Sequence, residues 1–199
     1  MSLSAEEIEN KILKINKLIE ELEPVFEKGR PKEVSRRIRF PHGVIKRTNT
    51  YRAKLPIIEN NTLKTNVAYS LQLANVYIWI LDWFNIIGIA REMFIKHGII
   101  LLVSIMEALV HCFVDNYLDV DVHKRLKRNL KKLLDEGVLN KREHKNFDRC
   151  RFLRDSIHLQ NIGERELEKY DENDFYFVRE SLNIINNIFI SYLQEKNIR

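Results

Sequence analysis

The distribution of proline is the sequence feature that most constrains how this chain folds. All four prolines lie within the first 56 residues, and no strand-like alternation of any length follows them. Because proline disrupts helix interiors, the region beyond Pro56 is free to form long helices. Apolar residues there recur at steps of three and four, which indicates amphipathic helices. The sequence therefore predicts an all-α helical bundle of five to seven helices.

Three parts are predicted along the chain. Residues 1–27 form an amphipathic helix that starts at a Ser4-x-x-Glu7 capping box and that Pro24 ends or kinks. Residues 28–58 form a basic, proline-containing loop or arm, extended or irregular, and residues 59–199 form the bundle. The first helix carries a narrow apolar stripe typical of helices that pack along another helix. The stripe consists of Ile8, Ile12, Ile15, Ile19 and Leu22.

Positive charge is concentrated in two tracts. The net charge is +5, whereas residues 28–54 alone carry +9 and residues 121–154 carry +7, which leaves −11 for the remainder. Two basic tracts on an otherwise acidic chain favour a polyanionic partner, although lysine-rich helices are often simply solvated. Aromatic residues interleave with the cations of the arm, which suits single-stranded RNA and, nearly as well, an acidic protein. The predicted RNA-binding residues are Arg36, Arg37, Arg39, Lys46 and Arg47.

Two long apolar helices are predicted within the bundle. The first contains Trp79, Trp83 and Phe84, which indicate a central position. The second, "HGIILLVSIMEALVHCFV", is interrupted by Glu107 and is interpreted as a buried core helix rather than a membrane span. A basic amphipathic helix follows, with Asp119 or Asp121 as its cap and Gly137 as its stop.

The two cysteines indicate a reducing compartment. Cys112 and Cys150 both fall in apolar helical patterns, so they are predicted to be small core residues rather than ligands or a disulfide. The acidic, amphipathic N-terminus has the features of neither a secretory signal nor a transit peptide. We therefore expect a cytoplasmic protein without a membrane partner.

The segment "RFLRDSIH", residues 151–158, carries the candidate chemistry. On a helix, Phe147, Cys150, Leu153 and Ile157 form a buried stripe, and the neighbouring stripe holds Arg151, Arg154, Asp155 and His158. One interpretation is a surface network in which Asp155 pairs with Arg151. The other is catalytic, because a neutral imidazole can accept a proton while a guanidinium stabilises a developing phosphorane. Such a pair needs no metal to cleave RNA, because the ribose 2′-OH is the nucleophile. DNA lacks this hydroxyl group and is therefore expected to be inert.

Residues 98–190, and this motif above all, resemble the HEPN domain family. The resemblance is carried by "VSIMEALVHCFVDNYL" and by the run from "LKKLLDEGVLNKREHKNFDRCRFLRDSIH" to "NIINNIF". It implies an all-α bundle, an Arg-x4-6-His signature, and an RNA-cleaving toxin or antiviral effector. It also implies a homodimer that joins two motifs, and in many members a nucleotidyltransferase-type antitoxin as partner.

The resemblance to the family motif implies that His158 is the catalytic histidine. Two residues are candidates for the catalytic arginine. Arg151 has the family spacing, but Phe152 follows it where the family tends to place Asn or Asp. Arg154 is followed by Asp155 but lies only three residues before His158. Glu107 is expected either to orient a motif arginine through a salt bridge or to be a partly exposed helix residue.

Two functions follow from these patterns. The first is a metal-independent ribonuclease that uses His158 with Arg151 or Arg154, with no cofactor, since neither zinc spacing nor a phosphate-cradling glycine loop occurs. The alternative is a catalytically degenerate module that binds RNA, a nucleotide or a protein partner without chemistry. A third, structural interpretation makes the first helix a dimerisation or docking element.

Overall fold

The protein is helical throughout the part that the structure describes. This computed structural model describes residues 3–32, 34, 43–118, 120–156 and 170–196. Within those ranges the chain forms seven α-helices and no β-strand, which confirms the prediction of an all-α bundle. The chain divides into two compact units, Met1–Phe40 and Pro41–Arg199. The helices are α1 (Ala5–Lys28), α2 (Thr48–Arg52), α3 (Asn61–Trp83), α4 (Gly88–Tyr117), α5 (Leu126–Asp135), α6 (Lys141–Asp155) and α7 (Glu172–Glu195).

The first unit is built on α1. The predicted capping box is present: the Glu7 amide donates to the Ser4 hydroxyl at 3.2 Å, and the Ser4 amide donates to the Glu7 carboxylate at 2.8 Å. Pro24 does not end α1, which continues to Lys28. A single proline removes one amide donor, and the helical bonds on either side of it persist. Four of the five residues of the apolar stripe are solvent-exposed, from 36% at Ile12 to 54% at Ile15, and Ile8 is partly buried.

Helix α4 forms the centre of the second unit. It packs against α3, α5, α6 and α7, and it buries thirteen residues along its length. By length and composition α4 is apolar enough to cross a membrane, but 61% of its most apolar 18-residue window is buried in the fold. Cys112 lies in α4 and Cys150 in α6, both buried as predicted. Burial raises the pKa of the Cys150 thiol to about 11.

Helix α3 is peripheral, and the prediction that it is central was wrong. Trp83 is 58% exposed and Phe84, the residue after the helix, is 45% exposed. The buried residues of α3 are the small Val67, Ala68 and Ala74. Both long helices are rich in apolar residues, but α4 buries thirteen of its residues and α3 buries three.

Aromatic rings of α7 pack tightly on α4. The Phe113 and Phe189 rings stack with their centroids 4.0 Å apart. Gly98 lies within α4, and the Phe175 ring occupies the space beside it. A Cβ at Gly98 would lie 2.9 Å from Cδ2 of Phe175 and still nearer to its Cε2.

The C-terminal part of the predicted basic arm is a packed segment of the second unit. Tyr51 on α2 is buried, as are Leu55, Ile57 and Ile58 after it. Gln72 of α3 donates to the Lys46 carbonyl at 2.9 Å. The extended or irregular arm predicted for residues 28–58 is therefore wrong for this part, because its apolar residues join the core.

Helix α5 begins several residues after the aspartates that were predicted to cap it. Its N-cap residue is Arg125, without a side-chain capping bond, so Asp121 does not cap it, and Asp119 lies outside the described residues. The helix ends at Asp135, and Gly137, the predicted stop, lies two residues beyond it with a φ of 71°. The amides of Gly137 and Val138 donate to the carbonyls of Leu134 and Leu133, which closes the helix end.

Candidate functional site

The candidate site is built on α6 because of how that helix is oriented. Asn140 caps it and forms a capping box with Glu143. Phe147 and Cys150 are 1% and 0% exposed, so they fix one face of α6 in the core. The neighbouring stripe then lies at the edge of the core, as the spacing predicts. Ile157 and His158 lie outside the described residues.

Arg151 is held between two carboxylates of its own helix. Its Nε donates to Asp148 at 2.7 Å, and its Nη1 donates to Asp155 at 2.6 Å. The side chain is only 17% exposed. The predicted pairing of Arg151 with Asp155 is confirmed as a contact, whereas Asp148 was not predicted. The three-residue separation of Asp148 and Arg151 in the sequence was the signal that could have identified it.

Arg154 links α6 to the central helix. Its Nη1 donates to the Glu107 carboxylate of α4, and its Nε and Nη2 donate to Asp155 at 3.2 and 3.1 Å. The side chains of Arg154 and Glu107 are 25% and 32% exposed. The expected salt bridge between Glu107 and an arginine of the motif is therefore present, and the arginine is Arg154.

We call these five residues the arginine–carboxylate cluster: Glu107, Asp148, Arg151, Arg154 and Asp155. The hydrogen bond from Arg151 lowers the pKa of Asp148, against an opposing effect of burial. Burial acts to lower the pKa of Arg154, but its hydrogen bonds to Glu107 and Asp155 outweigh it and raise that pKa. Both guanidinium groups therefore stay charged at neutral pH.

Three carboxylates surround two guanidinium groups, so the cluster carries one net negative charge when all five groups are ionised. A phosphate that binds either arginine must therefore compete with these carboxylates. Asp155 is the group best placed to give way: it is the last residue of α6, its side chain is 39% exposed, and it contacts both arginines.

The predicted RNA-binding residues are only partly within the described ranges. Lys46 and Arg47 are exposed, just before α2. Arg36, Arg37 and Arg39 lie outside the described residues. Where the structure describes the chain, no group of three or more His, Cys, Asp or Glu side chains is arranged to hold a metal ion. The absence of a metal or cofactor requirement stays a prediction.

A shallow open groove lies between the turn after α5 and the last turns of α7. It is lined in part by Val138, Ile188 and Tyr192, and by none of the residues of the arginine–carboxylate cluster. The candidate chemistry is therefore not inside this groove but on the α6 surface.

The sequence matches no protein-family model, and comparisons with curated proteins and with solved structures find no similar protein.

Proposed function

We propose that this chain is a HEPN-like, metal-independent endoribonuclease of the toxin or antiviral-defence type. One observation carries the proposal. The last turns of α6 hold Arg151 and Arg154 partly buried around a shared carboxylate, Asp155, which stands three positions before His158 in the sequence. Partly sheltered guanidinium groups can stabilise the negative charge that develops in phosphoryl chemistry, and a histidine can transfer the proton without a metal.

In the proposed reaction the imidazole of His158 takes the proton of a ribose 2′-OH or protonates the leaving 5′-oxygen. The 2′-oxygen attacks the adjacent phosphorus, the P–O5′ bond breaks, and a 2′,3′-cyclic phosphate forms. The guanidinium of Arg151 or Arg154 stabilises the additional negative charge on the phosphorane. Glu107 orients Arg154, and Asp155 releases an arginine when the phosphate enters.

The partners proposed with this activity are RNA, a second copy of the chain, and a nucleotidyltransferase-type antitoxin. The homodimer brings two motifs together, as the family resemblance implies, and we propose a cytoplasmic location without a membrane partner.

The test is cleavage of structured and single-stranded RNA in EDTA. We expect His158→Ala to reduce the rate by about 100-fold to 10,000-fold, the range for losing a general acid or base. His97→Ala, which removes an exposed imidazole of α4, is the matched control and should keep full activity. Equal rates for wild type and His158→Ala would disprove the proposal.

The same assay separates the two arginines. Lysine keeps the charge but loses the planar, two-point contact of arginine with a phosphate. Arg154→Lys should therefore abolish cleavage if Arg154-Asp155 is the motif element, with Arg151→Lys retaining it. The reverse result assigns the role to Arg151.

The second candidate function is RNA binding without chemistry. The observation that favours it is that carboxylates of the protein itself already engage both arginines. Wild-type protein that cleaves no RNA but binds it with strong salt dependence would support this function. Neutralising Arg36, Arg37 and Arg39 should then weaken binding.

A further inference from the structure

Helix α5 and the two residues before it carry a dense row of exposed cations. Lys124, Arg125, Lys127, Arg128 and Lys131 are all exposed, and we call them the α5 cationic face. The opposite side of the helix is anchored, because Leu126, Leu130 and Leu133 are at most 2% exposed. Because this apolar side is packed in the core, α5 is held in one orientation and its cations face the solvent.

A buried amide fixes the start of this face. Asn129 is 2% exposed, accepts from the His123 amide at 2.9 Å and donates to the His123 carbonyl at 2.8 Å. These two bonds hold the backbone just before α5, where Lys124 and Arg125 lie. The backbone that carries these cations is therefore ordered before any ligand binds, which reduces the entropic cost of binding.

The arrangement of charge on α5 works against the stability of the helix. Its first turn contains no acidic residue, although carboxylates are favourable there and cations are not. Both ring nitrogens of His123 face a donor: Nδ1 lies 3.0 Å from the Arg125 amide, and Nε2 lies 2.6 Å from Nη1 of Arg128. A neutral imidazole has only one acceptor nitrogen, so it cannot accept from both donors. An anionic acceptor at this surface would relieve the conflict.

The α5 cationic face adjoins the arginine–carboxylate cluster. Helix α5 packs on α6. Lys127 lies close enough to Asp148 to contribute to its lowered pKa, after the larger effects of Arg151 and His144. Asp148 in turn binds Arg151. Lys127 of the α5 cationic face therefore lies near the edge of the candidate site.

We infer that the α5 cationic face binds the sugar–phosphate backbone of single-stranded RNA and leads it to the arginine–carboxylate cluster. The face holds five cations within the eight residues from Lys124 to Lys131, so it can contact several phosphates of one strand. Its role as a substrate track rests on the proposed ribonuclease function, whereas RNA binding does not need cleavage.

The test measures binding of a fluorescein-labelled single-stranded RNA to full-length chains carrying His158→Ala, by anisotropy over a range of salt. The variant is Lys124→Gln, Lys127→Gln and Lys131→Gln together. The matched control is Lys11→Gln, Lys14→Gln and Lys17→Gln on α1, which are exposed lysines and change the net charge equally. Thermal unfolding of each protein verifies that it is folded.

We expect the α5 variant to bind at least tenfold more weakly than the control. Its salt slope should fall by about 2, since each lost phosphate contact removes about 0.7. Equal affinities of variant and control would overturn the inference. So would a variant that loses binding to phosphatidylserine vesicles but not to RNA, which would assign the face to a membrane surface.

Cleavage and binding measurements together distinguish loss of the ribonuclease proposal from loss of the proposal that the α5 cationic face binds RNA. If wild type cleaves RNA, the α5 substitutions made with His158 intact should raise KM and leave kcat unchanged. If wild type cleaves nothing while RNA binding still depends on α5, the ribonuclease proposal fails and the binding surface stands.

Discussion

At the residue scale, the candidate site shows which contacts a sequence reveals. Arg151 and Asp155 are one helical turn apart, so their contact follows from local spacing alone. Glu107 and Arg154 are 47 positions apart. Their pairing was expected only because a carboxylate in an apolar helix is costly without a partner, and that argument did not identify which arginine. His158 lies outside the described residues, so its proposed role rests on the sequence alone.

Asp148 should make the stability of the fold depend on pH. Its pKa lies below the ordinary value of 3.8 chiefly because Arg151 donates a hydrogen bond to it. A carboxyl with a lowered folded-state pKa stabilises the fold above its unfolded pKa, and this contribution disappears as pH falls through the folded pKa. Asp148→Asn should therefore lower the free energy of unfolding at pH 7 by up to about 1 kcal/mol, the usual range for a partly exposed pair.

Urea unfolding at pH 7 and below pH 3 measures this effect. The gap between wild type and Asp148→Asn should close at the lower pH. Asp135→Asn, which removes an exposed pair with Lys131, is the control and should show a smaller gap at pH 7. A gap for Asp148→Asn that is the same at both pH values would contradict the prediction.

At the element scale, composition identified the helices but not their places in the bundle. The Trp79, Trp83 and Phe84 cluster favoured α3 as the central helix, because large aromatic residues are usually buried. In the fold, Trp83 and Phe84 are exposed and α4 is central. The central helix of a bundle is the one that the other helices surround. Its identity depends on how all the helices pack, which no local sequence pattern determines.

The contact between α4 and α7 at Gly98 yields a prediction opposite to helix propensity. Alanine in place of glycine usually stabilises a helix interior by about 1 kcal/mol. At Gly98 the added methyl group would collide with the Phe175 ring. Gly98→Ala should therefore destabilise the protein by about 1–3 kcal/mol, the usual cost of overpacking.

A double-mutant cycle tests the cause of that loss. Phe175→Leu shrinks the obstructing side chain, so it should cost less stability in the Gly98→Ala background than in wild type. Denaturant unfolding of the four proteins gives the coupling energy. Additive effects would mean that the two positions do not collide.

At the scale of the whole molecule, the fold class was predictable and the limits of the packed region were not. Absence of proline beyond Pro56 and the three-four spacing of apolar residues were sufficient for an all-α bundle. The assignment of residues 28–58 to one arm relied on charge and proline. Charge does not reveal that Leu55, Ile57 and Ile58 enter the core, since three apolar residues in a basic segment form no periodic pattern.

The exposed stripe of α1 predicts self-association of the whole chain. Its four-three spacing is that of a coiled-coil seam, and Ile12, Ile15 and Ile19 are exposed. We expect light scattering to give a mass near twice 23.8 kDa. Ile12→Asp with Ile19→Asp should return it to a monomer, because two charges would enter the seam.

Leu13→Asp is the control for this experiment, since Leu13 is 65% exposed and lies off the stripe. It should remain a dimer. A wild-type mass of one chain, or a dimer that survives both stripe substitutions, would exclude α1 as the dimerisation element.

The two buried cysteines have a practical consequence for work with this protein. Thiolates, not thiols, react with maleimides, and burial raises the pKa values of Cys112 and Cys150. Their side chains are at most 7% exposed. The folded chain therefore resists alkylation at its native thiols, so a single cysteine introduced on the surface will accept a fluorophore without background labelling.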